Sequence, residues 1–314
     1  MNPPIAFIFP GQASQYPGMG RELTDAFPEA GAVLSEAERA LGFSIGRVCF
    51  EGKPEELQLT EFAQPAILTV SVAAHAVLAA RGIRPRFVAG HSLGEYSAIV
   101  AAGGLSLADA VATVRKRGQY MQEAVPVGQG AMAALLGMPL ESVESLCREA
   151  AQGQVLAAAN LNSPVQIVIA GDAEAVRRAV QLAPQRGARR AIPLPVSAPF
   201  HCALMQPARD RLEKDLGQLR FRDLGCPLVT NAEAAAVQRG SEVAGALVRQ
   251  VCAPVRWSET VQLLRDRGVR RFVEVGPGRV LSGLVRQTDR SLEVLNVEDL
   301  RSLDKTLAAL GAAG

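Results

Sequence analysis

The pentapeptide Gly90-His91-Ser92-Leu93-Gly94 has the residue types and spacing of a nucleophilic serine site. It follows a short apolar run over residues 87–89 and opens a stretch of helical character over residues 93–102. A strand, a sharp turn and a helix in this order form a nucleophile elbow, in which glycines let the backbone turn tightly and expose the serine hydroxyl. We therefore expect Ser92 to attack a carbonyl carbon and to carry a covalent acyl group.

A serine nucleophile needs a general base, and the chain contains three histidines. His75 lies in an apolar helical segment, which favours a packed structural role. His91 is adjacent to Ser92, and because neighbouring residues on a turn point apart, we expect it to shape the elbow. His201 lies in a proline-containing loop that follows Pro195, and elimination makes it the candidate base. A surface-loop histidine without catalytic function remains the alternative on this argument.

Acyl chemistry also needs backbone N–H groups that stabilise a developing oxyanion. The N–H of Leu93, directly after the nucleophile, is one expected donor. The second should come from the turn after the first strand, over residues 10–15, which contains Gly11 and Gln12. That turn could equally be only a connector.

A helix predicted over residues 107–122 carries three consecutive basic residues. At about 100° per residue, Lys116 falls opposite the apolar stripe of this helix, whereas Arg115 and Arg117 flank the two edges of the stripe. Either arginine could be partly buried and bind an anion, and periodicity does not choose between them. A solvated basic face is the alternative for all three residues.

Short apolar runs separated by helical patterns predict the sheet that must position these groups. Their alternation indicates an α/β fold with helices on the faces of the sheet. The predicted strands cover residues 5–9, 87–89, 227–230, 271–275 and 294–297.

Between Gly128 and Val196 the order of predicted elements changes to strand, helix, strand, strand, helix, strand. This order matches a ferredoxin-like unit. The six elements are expected over residues 131–136, 139–151, 155–160, 165–170, 172–186 and 189–194. The sequence therefore predicts a discontinuous large domain over residues 1–127 and 197–314, a small domain over residues 128–196 inserted into it, and a ligand cleft between the two.

Composition excludes several classes of function. The 314 residues are 48% hydrophobic and 20% charged with a net charge of +2, which predicts a globular core and no overall attraction to nucleic acid or anionic membranes. The five cysteines are scattered, so we expect free thiols and no metal site. Residues 65–80, the longest apolar segment, fall short of the ~20 residues of a membrane span. Because the N-terminus also lacks the pattern of a secretory signal, we expect a cytoplasmic protein.

Motifs spread over nearly the whole chain resemble, in type and order, those of the malonyl-CoA:acyl carrier protein transacylase family. They are Phe9-Pro10-Gly11-Gln12, Gly90-His91-Ser92-Leu93-Gly94-Glu95, Arg117-Gly118 with Met121-Gln122, Asn160-Leu161-Asn162-Ser163-Pro164, the His201 loop, Ala246-Leu247-Val248-Arg249-Gln250, Pro254-Val255-Arg256-Trp257 and Glu274-Val275-Gly276-Pro277-Gly278. The elbow alone is weak evidence, but several motifs at compatible spacings are strong. The resemblance implies an α/β-hydrolase-like core with a parallel sheet and an inserted ferredoxin-like domain.

Carried over position by position, the resemblance implies the catalytic roles. Ser92 becomes the acylated nucleophile and His201 its base. Gln12 and Leu93 become the oxyanion donors. Gln250 is implied to orient His201 through a carbonyl, in place of the carboxylate of a hydrolase triad. One hypothesis is that this weak orientation of His201 limits the hydrolysis of malonyl-CoA. The rate of that hydrolysis after replacing Gln250 by Glu should test the hypothesis.

The resemblance also implies how the acyl group is bound. Arg117 rather than Arg115 binds the malonyl carboxylate, which suits a guanidinium because it can grip a carboxylate with two hydrogen bonds. Phe200 disfavours α-branched acyl groups, and Asn162 and Met121 belong to the substrate site.

The implied reaction is a ping-pong transfer from malonyl-CoA to the phosphopantetheine thiol of an acyl carrier protein, without a bound cofactor. Carrier proteins are acidic, so we expect a basic rim around the cleft. The candidates for this rim are Arg115, Lys116, Arg186, Arg189 and Arg190. A serine thioesterase or other hydrolase, and a non-catalytic carrier-docking subunit, are the alternatives. The resemblance leaves the pathway open, because such a reaction can serve fatty-acid synthesis, polyketide synthesis or malonate decarboxylation.

Two positions depart from the family pattern. Residue 13 is Ala where Gly is usual, and a positive φ there would strain an alanine. We expect this alanine to be tolerated with little change in geometry. Gln206 stands where lysine is common, and we expect a slight change in the carrier-facing surface.

Overall fold

The computed structural model describes residues 4–196 and 198–311. The strands in this part of the chain are β1 Ile5–Phe9, β2 Phe87–Gly90, β3 Gly130–Leu136, β4 Leu156–Ser163, β5 Gln166–Asp172, β6 Arg190–Pro193, β7 Leu228–Val229, β8 Ala236–Val237, β9 Arg271–Val275 and β10 Glu293–Val297. The helices are α1 Arg21–Ala26, α2 Pro28–Leu41, α3 Ile45–Glu51, α4 Pro54–Gln58, α5 Thr60–Ala80, α6 Gly94–Ala101, α7 Leu107–Glu123, α8 Leu140–Ala151, α9 Ala173–Leu182, α10 Gln206–Leu216, α11 Gly240–Gln250, α12 Trp257–Asp266, α13 Val280–Thr288 and α14 Leu300–Leu310. Short 3₁₀ turns cover Ala183–Arg186 and Ala203–Met205.

The larger sheet has the strand order β10-β9-β1-β2-β7-β8. Its first five strands run parallel, and β8 is antiparallel to β7. Phe9 at the end of β1 pairs with Gly90 at the end of β2. The carboxyl ends of the parallel strands therefore share one edge, which is where parallel α/β sheets bind their ligands.

The central strands are continuous apolar runs because both faces of this sheet are covered by helices. On one face, Phe7 and Phe9 pack in the same core as Ile67 of α5. On the other face, Ile8 packs in a second core with Trp257 at the start of α12. All five side chains are fully buried, so burial on both faces anchors the strands that lead to the elbow.

Helix α5 is long and apolar enough to span a membrane, but 78% of its most apolar window is buried inside the protein. It thus has the burial of a core helix. His75 on this helix lies edge-on to Phe7 and Phe9, with ring centroids 6.1 and 6.4 Å away. Burial lowers the pKa of His75 to about 4, so the packed imidazole is neutral at physiological pH.

The smaller sheet is antiparallel and has the strand order β4-β5-β3-β6. With α8 and α9 it forms the ferredoxin-like succession predicted from the sequence. Leu135 and Ile169 from the sheet share a core with Leu146 of α8 and Val176 of α9. The predicted α/β fold, with one mainly parallel sheet and a second small sheet, is confirmed.

Several elements differ from their predicted bounds. The helix expected over residues 172–186 ends at Leu182 and continues as a 3₁₀ turn, since Pro184 cannot donate the α-helical hydrogen bond. Strand β4 runs on to Ser163 through two register irregularities. The strand expected over residues 227–230 is reduced to Leu228–Val229. Its hairpin partner Ala236–Val237 is too short to give a periodic signal in the sequence.

Strand β4 also joins the smaller sheet to the larger body. Leu161 donates its backbone N–H to the carbonyl of Val255 (2.8 Å), and Val255 donates to Ala159 (2.9 Å). The predicted domain limits at 127/128 and 196/197 stay a prediction. Ser197 at the second limit, residues 1–3 and residues 312–314 lie outside the described residues.

Candidate active site

Ser92 lies at a strained turn between β2 and α6, with a φ of +53°. A Cβ at Gly90 would lie 1.9 Å from the carbonyl carbon of Gly94, and a Cβ at Gly94 would lie 2.0 Å from the carbonyl oxygen of Phe9. Only glycine fits either position, because real Cβ atoms do not approach backbone so closely. The two glycines of the pentapeptide thus make the turn that presents the Ser92 hydroxyl.

The structure brings Ser92, His201 and Gln250 together across 158 residues of chain. Nε2 of His201 lies 2.7 Å from Oγ of Ser92, and Nδ1 lies 2.9 Å from the backbone carbonyl of Gln250. A carbonyl only accepts, so Nδ1 carries the proton and Nε2 accepts from the serine hydroxyl. This tautomer suits a general base.

Burial and then the charge of Arg117 lower the pKa of His201 to about 3. Both effects disfavour the imidazolium, so the ring is neutral at physiological pH. His201 is 3% exposed, which rules out the alternative of a surface-loop histidine. Its φ of +59° is a second left-handed backbone position in the site.

Arg117 is buried, at 1% exposure, beside the nucleophile. Its Nη2 donates to Oγ of Ser92 (3.1 Å) and to Oε1 of Gln250 (2.9 Å), and its Nη1 donates to Oε1 of Gln64 (2.8 Å). Within the described residues it has no carboxylate partner at ion-pair distance. Two neutral amide oxygens therefore hold a guanidinium whose charge is not directly paired.

The choice between Arg115 and Arg117, which periodicity left open, is decided by packing. Arg115 stacks over the ring of Phe43, with 4.6 Å from its guanidinium carbon to the ring centroid. Lys116 is exposed and forms an ion pair with Asp215 (3.3 Å). Of the three basic residues only Arg117 lines the pocket next to Ser92.

The predicted oxyanion donors, Gln12 and Leu93, both line the same pocket as Ser92. Among the described residues, neither backbone N–H has a hydrogen-bond acceptor. Two free N–H groups beside a nucleophile are the arrangement that an oxyanion hole needs.

The residue after Gln12 is Ala13, which has a φ of +82°. This is the left-handed region, where a Cβ is strained. The backbone N–H of Ala13 donates to the side chain of Gln15 (2.8 Å). The alanine thus carries strain in the loop that presents the Gln12 N–H, and the expectation that it is tolerated stays a prediction.

Asn162 and His91 connect the elbow to strand β4. Nε2 of His91 donates to Oδ1 of Asn162 (2.8 Å), and the His91 ring lies 5.7 Å from that of Trp257. Burial lowers the pKa of His91, so this imidazole is neutral and acts as a hydrogen-bond donor. Part of the Asn162 side chain is therefore engaged by the elbow, although Asn162 also lines the pocket.

The pocket beside Ser92 has a volume of about 250 Å³ and lies between the two sheets and helix α13. Phe200 and Met121, both predicted for the substrate site, line it and are buried. Its remaining apolar wall consists of Met132, Ala134, Val168, Leu194, Val196, Val280, Leu281 and Leu284. The pocket thus combines an apolar wall with the guanidinium of Arg117 next to the serine, a combination that suits a short anionic acyl group.

Three buried polar residues at the site were not predicted as site residues from the sequence. Asn231 accepts the N–H of Ser92 on Oδ1 (2.6 Å) and donates to the carbonyl of Gly90 (2.6 Å). Gln64 holds Arg117, and Glu95 accepts from Gln250 (2.8 Å). The sequence did offer a signal for Asn231, because a polar residue that follows a predicted strand at the carboxyl edge of a parallel sheet is a candidate site residue.

The family model for the acyl transferase domain matches residues 6–306 of the chain. The chain is 46% identical over 307 residues to the malonyl CoA-acyl carrier protein transacylase of Bacillus subtilis, covering 98% of this chain and 97% of the relative. It is 45% identical to the enzyme of the same name from Escherichia coli K12, with 98% of each chain covered.

Solved structures show the same similarity. The malonyl CoA-acyl carrier protein transacylase of Coxiella burnetii superposes with a TM-score of 0.96 at 42% identity, covering 98% of each chain. A malonyl-transacylase in complex with a type II polyketide acyl-carrier protein superposes with a TM-score of 0.95 at 44% identity, covering 98% of this chain and 99% of that one. The chain therefore belongs to the acyl transferase domain family and, within it, to the malonyl CoA-acyl carrier protein transacylases that its motifs resemble.

Proposed function

We propose that this protein transfers a malonyl group from malonyl-CoA to the phosphopantetheine thiol of an acyl carrier protein, through a malonyl ester on Ser92. The observation that carries the substrate class is the position of Arg117, whose Nη2 lies 3.1 Å from Oγ of Ser92. In a malonyl ester the free carboxylate is separated from the reacting carbonyl by one methylene. A guanidinium this close to the nucleophile therefore suits a short acyl group that ends in a carboxylate.

In the first half-reaction, Oγ of Ser92 attacks the thioester carbonyl while Nε2 of His201 accepts the hydroxyl proton. The negative charge on the carbonyl oxygen is stabilised by the N–H groups of Gln12 and Leu93. When the C–S bond breaks, the CoA sulfur takes the proton from His201 and leaves as the thiol. The malonyl ester remains on Ser92, with its carboxylate on Arg117.

In the second half-reaction, the phosphopantetheine thiol of the carrier enters the same pocket. His201 takes the thiol proton, the sulfur attacks the ester carbonyl, and Oγ of Ser92 leaves with the proton from His201. One thioester replaces another, so the protein must exclude water rather than drive the equilibrium. The contact of His201 with a neutral carbonyl of Gln250 suits this need, because no carboxylate stabilises the imidazolium as in a hydrolase triad.

The two alternatives have less support. A thioesterase or other hydrolase needs no buried arginine beside the nucleophile, and a docking subunit needs neither Ser92 nor His201. The relatives described above are transacylases by name. The same chemistry serves fatty-acid or polyketide synthesis, and one of the similar structures holds a polyketide carrier.

Ion pairing and stacking reduce the number of candidates for a basic rim. Arg186 forms an ion pair with Glu149 (2.7 Å), and Lys116 and Arg115 are engaged as described. Arg189 and Arg190 are exposed and form no ion pair within the described residues. Of the five candidates, these two are therefore the ones left without an ion pair or a stacking partner in the described part of the chain, and we propose them for contact with an acidic carrier. Gln206 is also exposed but donates to Asp210 (2.7 Å).

Three further parts of the proposal concern the whole protein. The transfer needs no bound cofactor or metal, since every step above uses side chains and backbone of this chain. The protein acts in the cytoplasm. Residues 128–196 form a small domain inserted between the two parts of the catalytic domain.

The decisive experiment is intact-mass analysis after mixing the protein with malonyl-CoA, followed by peptide mapping and addition of acyl carrier protein. A malonyl adduct on Ser92 that passes to the carrier thiol establishes the transfer. Free malonate without carrier product would establish a hydrolase instead, and no adduct would favour the docking subunit. The Ser92→Ala variant is the matched control.

A further inference from the structure

Glu95 lies directly beneath the elbow and is fully buried. It stands one turn of helix after Ser92, on α6. Its Oε2 accepts two hydrogen bonds, from Nε2 of Gln250 (2.8 Å) and from the backbone N–H of Asn231 (3.1 Å). Its Oε1 has no partner within the described residues. The transfer mechanism above gives this carboxyl group no role.

The first of these bonds determines which way the Gln250 amide points. The oxygen and nitrogen ends of an amide have nearly the same shape, so hydrogen-bond partners decide the orientation. Nε2 of Gln250 donates to Glu95 and to the carbonyl of Ser92 (2.9 Å), which leaves Oε1 facing Nη2 of Arg117 (2.9 Å). In the reversed orientation an amide NH₂ would face the guanidinium, and two donors would oppose each other.

The second bond holds the segment that braces the nucleophile. Asn231 accepts the N–H of Ser92 and donates to the carbonyl of Gly90, so it spans the strained turn. Glu95 thus binds both segments that support the elbow, the loop after β7 and the end of α11. The same end of α11 presents the Gln250 carbonyl to His201.

An indirect link between Glu95 and Arg117 has a chemical advantage. A carboxylate in direct contact with Arg117 would compete with the carboxylate of the acyl group for the guanidinium. Here the carboxyl group acts through the neutral amide of Gln250, so Arg117 is oriented without being neutralised at contact distance. Burial raises the pKa of Glu95 to about 7, which further reduces its negative charge at neutral pH.

We infer that Glu95 is a positioning residue for selection of the carboxylated acyl group, acting on Arg117 through the side-chain amide of Gln250. This role rests on the proposed malonyl transfer. It concerns the preference for malonyl-CoA over acetyl-CoA, which has the same thioester but no carboxylate. A purely structural role of Glu95 would affect both substrates equally.

The test compares kcat/KM for acylation of Ser92 by malonyl-CoA and by acetyl-CoA in Glu95→Leu and Glu95→Gln. Leu removes the acceptor, and we expect the malonyl preference to fall roughly 10- to 100-fold, the range for a lost buried acceptor in a charged network. Gln keeps an acceptor oxygen for Gln250 and Asn231. It should therefore keep most of the preference, although its NH₂ group replaces an unpartnered Oε1 and lowers stability.

A double-variant cycle with Gln250→Leu identifies the route. If Glu95 acts through Gln250, Glu95→Leu should change the preference little further once the amide is gone. Equal losses for both substrates, or full additivity in the cycle, would overturn the inference. Glu274→Gln is the control, because Glu274 is equally buried but binds the N–H groups of Leu281 and Ser282 (3.0 and 2.7 Å). It should change stability without changing the preference.

Glu95→Asp replaces Glu95→Leu in the test if the Leu variant does not fold. Asp keeps the carboxyl group but places it one methylene further from Gln250 and Asn231. The preference should fall in this variant as well, and an unchanged preference would overturn the inference. A wild-type protein that transfers no malonyl group would instead overturn the proposed function, and this inference with it. If the wild-type protein prefers malonyl-CoA and the Glu95→Leu and Glu95→Asp variants keep that preference, only the role of Glu95 is overturned.

Discussion

The guanidinium of Arg117 and the hydroxyl of Ser92 are in direct contact, with 3.1 Å between Nη2 and Oγ. The group that we propose to bind the acyl carboxylate therefore also touches the nucleophile. The same nitrogen bonds the side chain of Gln250, whose backbone carbonyl orients His201. Gln250 consequently contacts both the residue proposed to bind the substrate and the residue proposed to act as the base. Substitutions at the site should separate these two roles.

Replacing Arg117 by Ala should remove the preference for a carboxylated acyl group. We expect kcat/KM for malonylation of Ser92 to fall roughly 10- to 100-fold, the value of a charge-assisted pair of hydrogen bonds. Acetylation by acetyl-CoA should fall much less, because it uses no carboxylate contact. Arg115→Ala on the same helix is the control, and the readout is the rate of adduct formation by mass spectrometry. Unchanged malonyl turnover would support a hydrolase instead.

Replacing Gln250 by Glu should impair malonylation without creating a hydrolase triad. His201 contacts the backbone carbonyl of residue 250, which the substitution keeps, whereas the new side-chain carboxylate would face Arg117. We expect malonylation to fall more than about tenfold, since the carboxylate competes for the guanidinium. The lifetime of the malonyl-Ser92 ester in water should not shorten.

The matched control for Gln250→Glu is Gln166→Glu, which adds the same charge at another pocket residue that is not a hydrogen-bond partner of Arg117. Faster hydrolysis of the malonyl ester in Gln250→Glu alone would contradict this reasoning. It would mean that the carboxylate reaches His201 and completes a triad.

Replacing Ala13 by Gly should stabilise the protein, because Ala13 has a φ of +82°. The strain of a Cβ in this region is about 1 kcal/mol, so the free energy of unfolding should rise by roughly that amount. The measurement is the urea midpoint, followed by the fluorescence of Trp257, the single tryptophan. An unchanged or lower midpoint would show that the loop is not strained.

Gly18→Ala is the reciprocal control for Ala13→Gly. Gly18 has a φ of +93° and open space around the position of a Cβ. We expect its substitution to lower the free energy of unfolding by roughly 1 kcal/mol, through backbone strain alone.

The pH dependence of acylation should differ from that of an ordinary histidine base. The pKa of His201 is lowered to about 3, so its neutral form persists as the pH falls. The rate of Ser92 malonylation should change less than about twofold between about pH 7.5 and about pH 5.5, whereas a base with the usual pKa of ~6.5 would lose ~10-fold. Stopped-flow acylation with Trp257 fluorescence as a check on folding tests this, and a tenfold loss would contradict it.

The exposed pair Arg189 and Arg190 should contribute to carrier recognition. Replacing both by Ala should raise KM for the carrier about two- to fivefold, the value of exposed charge contacts, and reduce the dependence of the second half-reaction on ionic strength. Lys116→Ala and Arg186→Ala should have smaller effects, since Asp215 and Glu149 already pair those charges. Transfer rates that do not depend on ionic strength would exclude a basic rim that binds the carrier.

Local chemistry made the elbow predictable, since its strand, two glycines, serine and helix are consecutive in the chain. The alternation of apolar runs likewise predicted the larger sheet, because burial on two faces requires continuous apolar strands. The order strand, helix, strand, strand, helix, strand predicted the smaller sheet. The count of three histidines narrowed the base to His201. These inferences need only neighbouring residues or the composition.

Contacts between distant parts of the chain were decided by the tertiary structure. Periodicity placed Arg115 and Arg117 symmetrically about one helix stripe, and the family resemblance pointed to Arg117. The packing of Arg115 against Phe43 and of Arg117 beside Ser92 gives the physical difference between them. The family motifs pointed to Gln250, but the fold shows that its carbonyl binds His201 while its amide binds Arg117. Local sequence does not encode such pairings, because each hydrogen bond joins atoms that come within reach only when both sheets and their helices have packed.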